Sequence, residues 1–275
     1  MVLIFVISIS LVGCGAYADN LPERLAPTPV VEIGTNHNPA ECGTISGQVT
    51  WVGELPVVPT MVVNTKDGPK LAPNPHVPQI HAVLKRLAGA VVFLRGIDPA
   101  KAKPWTRPNR ATVSVNDLGI AILDSGVIGF VRHGDPILLT SLVETAHVVR
   151  GRGAMNFAIP LPSQLEPSLR IANRPGRIEL TSGSNVAHAI AHLFVCEHPY
   201  YTIASANGEF QFDSVPAGGY ELVVWHPNWK IVGHDRNPET GLIGRYRYGE
   251  AWEVVLPVTV KTGEQTVVRV DFPNR

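Results

Sequence analysis

Short apolar segments separated by turn residues dominate the hydrophobic pattern of this chain. In the stretch 44–52, Ile45, Val49 and Trp51 alternate with polar residues, and this two-residue period is typical of a half-buried strand. Similar short segments recur at 88–94, 111–115, 119–122, 126–133, 137–142, 147–149, 156–161, 168–171 and 177–181. With no long amphipathic helix among them, the pattern predicts an all-β fold built as antiparallel Greek-key sandwiches.

The C-terminal third carries the clearest turn signals. Asn207-Gly208 predicts a tight hairpin between strands at 200–203 and 210–212, because glycine supplies the positive φ that such turns require. Residues 220–225 alternate as a further strand, and 252–260 and 265–272 are expected to form a terminal hairpin. Residues 226–241 are interpreted as a loop, 245–248 as an alternating strand, and the Pro-rich stretch 53–80 as an extended crossing segment. Gly151 and Gly153 are expected to end the strand at 147–149.

Composition supports this picture and excludes some partners. The 275 residues are 45% hydrophobic and 17% charged, and 25 glycines with 24 prolines favour tight turns over long helices. The 23 Lys and Arg residues balance the 23 Asp and Glu residues, so no polyanion is indicated. We therefore expect no nucleic-acid partner.

The N-terminus indicates export. Residues 1–13 form an uncharged apolar run that is too short to span a bilayer but fits the core of a signal peptide. Leu11-Val12-Gly13-Cys14 resembles a bacterial lipobox, which implies cleavage before Cys14, acylation of its sulfur and membrane anchoring. The alternative is a plain secretory signal cleaved near 16–18. Residues 14–41 are expected to be a disordered tether, and the protein to reside in the cell envelope or periplasm.

Export leaves two cysteines in an oxidising compartment. Cys42 and Cys196 can form a disulfide there, remain as two buried thiols, or contribute Cys196 as a metal ligand. Their spacing does not choose among the three.

Two parts of the chain each resemble a known family of modules. Residues 202–225, with Asn207-Gly208 and Val215-Pro216, resemble the carboxypeptidase-regulatory-like (transthyretin-like) module, and 43–53 resembles its first strand. The middle of the chain resembles the cupredoxin-like half of exported, planctomycete-type bacterial proteins that fuse the two modules. Its matching features include 88–94, 129–139, Glu144-Thr-Ala-His147, 156–161 and His198-Pro199.

These resemblances imply a domain plan. A signal peptide (1–13) and tether (14–41) precede the first regulatory-like strand with its Pro-rich crossing (42–84), a cupredoxin-like domain (85–198), and a regulatory-like sandwich (199–275) completed by 43–53.

The cupredoxin resemblance also implies where copper ligands would lie. The first histidine belongs to the strand of His147, while the cysteine, second histidine and methionine fall near Ser182, Val186 and Ala189. None of these three is a ligand type of a blue-copper site. The resemblance therefore implies a copper site that has been lost.

The neighbouring histidines leave a second hypothesis open. His188, His192, Cys196 and His198 share one parity, so one continuous strand would project them from the same face. At ~3.3 Å per residue, Cys196 and His198 would lie about 7 Å apart, near enough to share an ion, whereas His188 and His192 would be about 13 Å apart. If 185–192 is helical instead, His188 and His192 could bind one metal. The alternative is that these histidines are ordinary core or surface residues.

The sequence thus predicts a non-enzymatic, lipid-anchored binding or structural protein with no cofactor, whose partners are the membrane and an envelope protein or glycan. Its alternative is a copper or zinc protein, an electron carrier or metal chaperone, that uses His147 with His188, His192, Cys196 and His198.

Overall fold

The computed structural model describes residues 36–273 except 66–67, 107–109, 117–118, 145, 163–166, 183–187, 237, 239–240 and 242. The signal peptide, Cys14, most of the tether and Val186 lie outside this part. Within it the chain forms 22 strands and two short 3₁₀ turns. The strands, in chain order, are β1 Cys42–Trp51, β2 Met61–Thr65, β3 Gly68–Ala72, β4 Gln79–Ile80, β5 Leu87–Ala88, β6 Val91–Arg95, β7 Ala111–Asn116, β8 Gly119–Ile122, β9 Ile128–Arg132, β10 Pro136–Ser141, β11 His147–Gly153, β12 Phe157–Leu161, β13 Ser168–Ile171, β14 Gly176–Ser182, β15 Ile190–Cys196, β16 Tyr201–Ile203, β17 Glu209–Pro216, β18 Gly218–His226, β19 Ile231–Arg236, β20 Ile243–Tyr248, β21 Trp252–Val260 and β22 Gln265–Phe272.

Two sandwiches account for most of these strands. In the middle sandwich, sheets β13-β10-β7-β8 and β12-β11-β14-β15-β9 enclose one apolar core. In the terminal sandwich, sheets β17-β1-β22 and β16-β6-β18-β21 enclose a second core. The all-β sandwich class expected from the sequence is confirmed, although three pairings (β1 with β22, β7 with β10, β9 with β15) are parallel.

A third apolar cluster joins the two sandwiches. Phe194 and Cys196 on the outer face of β15, with Ile128 of β9, pack against Val91 of β6 and Trp225 of β18. Burying these side chains favours direct contact between the two sheets. Because Val91–Arg95 pairs with β18, this strand lies in the terminal sandwich, although the expected boundary at residue 85 assigned it to the middle domain.

Two hairpins expected from the sequence are wrong. The Asn207-Gly208 turn forms, with φ +70° at Gly208, but the flanking strands β16 and β17 pair with β6 and β1 in opposite sheets. Likewise, β21 pairs with β18 and β22 with β1. In both cases the chain crosses between the layers at the turn. Alternation of apolar residues identifies the buried face of a strand but not its neighbour.

Three other expectations need correction. The stretch 53–80 contains the β2–β3 hairpin, and the presumed loop 226–241 contains β19, which pairs with β20. The strand of His147 continues through Gly153, because its glycines lie within the ladder to β14. The strand expected at 245–248 is confirmed as part of β20. No helix in the described residues is long and apolar enough to cross a membrane.

Candidate functional site

The position expected for copper is occupied by a histidine and a serine. His147 begins β11, and Ser182 ends the neighbouring strand β14, where it lies opposite Val149. Both side chains face the core of the middle sandwich and are buried, with 3% and 2% exposure. His147 Nδ1 lies 3.2 Å from Ser182 Oγ. Thus a hydroxyl stands where the cupredoxin resemblance places the thiolate.

The remaining expected ligand positions also lack a copper ligand. Ala189 is buried in the same core, and its methyl group cannot coordinate a metal. Val186 lies outside the described residues. A type 1 site requires two imidazoles, a thiolate and a weak axial ligand. The residues at these positions do not fit copper.

The five residues of the metal hypothesis do not all lie on one face of the sheet. His147 faces the core of the middle sandwich, whereas His192 and Cys196 lie on the opposite face of the same sheet. His188 is half-buried in the turn before β15, and His198 follows β15 and packs against Tyr200 and Tyr201. Within the described residues, no three His, Cys, Asp or Glu side chains are grouped as metal ligands.

The structure also does not join Cys42 to Cys196. Cys42 Sγ donates to the Asn38 carbonyl at 3.2 Å, and Cys196 Sγ donates to the Phe194 carbonyl at 3.3 Å. The disulfide that the sequence left open is absent because Cys42 begins β1 of the terminal sandwich, while Cys196 lies between the sandwiches. Both cysteines are buried and are not joined to one another.

A polar row crosses the outer face of the middle sandwich. Arg152 on β11 lies opposite Glu179 on β14, and Glu179 lies opposite His192 on β15. Residues opposite one another in a ladder share a face, so these three side chains project toward the segments that cover the sheet. Arg245 of β20 forms an ion pair with Glu179 from that covering layer. These polar side chains thus extend the contact between the middle sandwich and the segments that cover its outer face.

His76, which the sequence did not single out, completes this row. Its Nε2 lies 3.2 Å from His192 Nε2, and its Nδ1 lies 3.0 Å from the Asn228 carbonyl oxygen. The Tyr248 ring packs at 4.2 Å from the His76 ring, and Asn74 Oδ1 accepts from the His76 amide. The only local signal is the Asn74-Pro-His76 turn sequence, and this predicts a turn rather than a site.

The hydrogen bonds determine which nitrogens carry protons. Arg177 Nη1 lies 3.1 Å from His192 Nδ1, and since a guanidinium only donates, that nitrogen must accept. Neutral His192 therefore carries its proton on Nε2 and donates it to His76 Nε2. His76 in turn donates through Nδ1 to the Asn228 carbonyl. The two imidazoles form a directed chain of hydrogen bonds in which His192 Nε2 has no lone pair for a metal.

Burial keeps these histidines neutral. Desolvation lowers the pKa of His76 to about 4, and desolvation followed by repulsion from His76 lowers the pKa of His192 well below its ordinary value. Burial also lowers the pKa of His198 and of His226 to about 4. An added proton on the His76–His192 pair would place two N–H groups facing one another, so the neutral form is the one that this arrangement stabilises.

Comparison with known proteins adds no family. No family model matches the chain, and no curated protein matches it. Among solved structures, the chain is similar to a chain from a cryo-EM structure of a heme-copper terminal oxidase dimer. The identity is 12%, the TM-score is 0.27, and the match covers 38% of this chain and 79% of the other. So low a structural similarity carries no argument about function.

Proposed function

We propose that this protein is an exported, lipid-anchored β-sandwich protein of the cell envelope with a binding or structural role. Its cupredoxin-like module would have lost the type 1 copper site, and its C-terminal regulatory-like module would contribute to binding an envelope protein or glycan. The proposal includes no catalytic step.

The contact between His147 and Ser182 carries this proposal. The two side chains are 3.2 Å apart inside the middle sandwich, and this proximity supports the proposal that Ser182 occupies a ligand position beside His147. The hydroxyl of serine, unlike a thiolate, supplies neither the soft donor nor the charge of a blue-copper site. Cys42 and Cys196 lie elsewhere in the fold and do not replace it.

The lipid anchor can be tested through Cys14. The full-length protein expressed in a bacterial host should partition with membranes and into detergent. Cys14→Ser should release the protein into the soluble fraction or leave its signal uncleaved, with the fold unchanged by circular dichroism. A Cys14→Ser protein that is processed and still fractionates with membranes would contradict the anchor.

The alternative is a copper or zinc protein, and one observation favours it. The Nε2 atoms of His76 and His192 face one another at 3.2 Å, a separation that suits two ligands of one tetrahedral ion. The donated Arg177 hydrogen bond opposes this, because it requires the proton on His192 Nε2. Metal analysis of purified protein decides: one equivalent of zinc or copper that disappears in His192→Gln supports the alternative.

A further inference from the structure

A cavity lined by arginines lies beside the polar row. It has a volume of about 250 Å³ and lies between strands β11 and β14 of the middle sandwich and the β19–β20 hairpin. Arg150 and Arg152 enter it from β11, and Arg236 and Arg245 from the hairpin. Arg150 is opposite Thr181 in the ladder, so the Thr181 side chain shares their face. The sequence gives no signal for this cavity because its arginines come from distant segments.

Positive charge exceeds negative charge around this cavity. Its lining contains four guanidinium groups and one carboxylate, Asp235. Asp235 is shared between Arg245 at 3.6 Å and Arg247 at 3.3 Å, and Glu179 is engaged by Arg245. Within the described residues no carboxylate lies in ion-pair range of Arg150, Arg152 or Arg236. Among the described residues, positive charge around the cavity is therefore only partly balanced.

One buried guanidinium donor beside the cavity, Arg245 Nε, has no hydrogen-bond partner among the described residues. Arg152 donates from Nη1 to Thr181 Oγ1 at 3.3 Å. Burial, followed by repulsion from Arg245 and Arg150, lowers the pKa of Arg152. These arginines thus repel one another across a cavity between them, and an unsatisfied buried donor is costly.

We propose that this cavity binds a tetrahedral oxyanion, a phosphate or sulfate group that is either free or carried on a small ester. Guanidinium forks match the oxygens of such groups in geometry, and an anion suits the surplus of positive charge among the described lining residues. The cavity is smaller than the pockets that take drug-sized ligands, so it suits the anionic group with little attached to it. The inference holds whether or not the protein is exported and anchored.

Binding is tested on the full-length protein with inorganic phosphate. Calorimetry at pH 7.5 should detect one phosphate or sulfate per chain, whereas acetate and sodium chloride at equal ionic strength should not compete. At about ten times Kd, phosphate should raise Tm by about 3–6 °C. Glycerol 3-phosphate distinguishes a phosphate ester from a free anion as the ligand. Tighter binding than inorganic phosphate indicates an ester, and weaker binding indicates a free anion. Absence of phosphate and sulfate binding beyond that of chloride overturns the proposal.

Variants locate the anion. Arg152→Gln and Arg150→Gln should each weaken phosphate binding by about tenfold or more, because each removes a charge-assisted contact. Arg152→Lys keeps the charge but loses the fork, so its loss should be smaller. The control Arg170→Gln removes an exposed arginine on β13 and should bind phosphate as the wild type does. Equal binding by wild type, Arg150→Gln and Arg152→Gln would overturn the site.

Stability without phosphate provides a second readout. Removing one of the mutually repelling arginines should leave Tm unchanged or raise it by a few degrees. The reason is that charge repulsion at an anion-binding site lowers stability when no anion is bound. A purely structural role for Arg150 and Arg152 would instead lower Tm in both variants and leave the phosphate response intact. That combination contradicts the proposal.

Discussion

Mild acid should destabilise this protein steeply, because four of its histidines are buried in the neutral form. His76, His198 and His226 are 3%, 5% and 5% exposed, and burial lowers the pKa of each to about 4. His192 is equally buried, and its pKa is lowered in the same direction. In the unfolded chain each of these imidazoles has its ordinary pKa of about 6.5.

The sign and size of the effect follow from proton linkage. Because the folded pKa is lowered, each neutral histidine contributes its full stability above pH 6.5 and loses it as the pH falls toward 4. Between pH 7.5 and 5.5 the unfolded state gains close to one proton per histidine, which removes about 1.3 kcal/mol each. The four together lower the free energy of unfolding by about 5 kcal/mol, a large part of the stability of a typical domain.

Urea unfolding followed by tryptophan fluorescence at pH 7.5, 6.5 and 5.5 measures this loss. His198→Gln should reduce it by about a quarter, since glutamine can accept from the Tyr200 amide, as His198 Nδ1 does, but cannot titrate. The matched control His133→Gln removes an exposed histidine and should keep the wild-type loss. Equal stability at pH 7.5 and 5.5, or an unchanged loss in His198→Gln, would refute the account of buried neutral histidines.

Two further substitutions test the packing of the terminal sandwich. Tyr200→Phe removes a fully buried hydroxyl that donates to the Ser214 carbonyl at 2.6 Å, and should lower the free energy of unfolding by about 1–3 kcal/mol with an unchanged m-value. Gly208→Ala should cost about 2 kcal/mol or more in the same urea assay, because φ is +70° and the new Cβ would lie 2.6 Å from the Val49 carbonyl oxygen. Gly219→Ala, where a Cβ meets nothing within 4 Å, should cost less than 1 kcal/mol.

The sequence predicted where many strands lie but not how they pair. Alternation placed Trp252–Val260 and Gln265–Phe272 as strands with the correct bounds. It could not reveal that they belong to different sheets, because β21 pairs with β18 in one sheet, whereas β22 pairs with β1 near the other end of the chain. The Asn207-Gly208 turn was predicted correctly from its local sequence. Its flanking strands belong to different sheets because they pair with β1 and β6, which lie far away in the sequence.

The sequence likewise predicted one of the side-chain contacts at the candidate sites and missed the others. The neighbourhood of His147 and Ser182 followed from a resemblance that aligned the two strands, and the structure brings these side chains into contact. The contact of His76 with His192 spans 116 residues of sequence, and nothing near His76 signals its partner. Arg245 was expected on an alternating strand, but its role beside Arg152 depends on where β20 folds over the sheet.

The proposed replacement of a copper thiolate by Ser182 is tested most directly by titrating the purified full-length protein with Cu(II) while recording visible absorbance and redox cycling. We expect no intense blue copper–thiolate band and no reversible copper couple in the wild type. Ser182→Cys, which places a thiol beside His147, should produce copper–thiolate absorbance and so shows that the assay can detect it. A blue, reversibly reducible centre with one copper per wild-type chain would contradict the account.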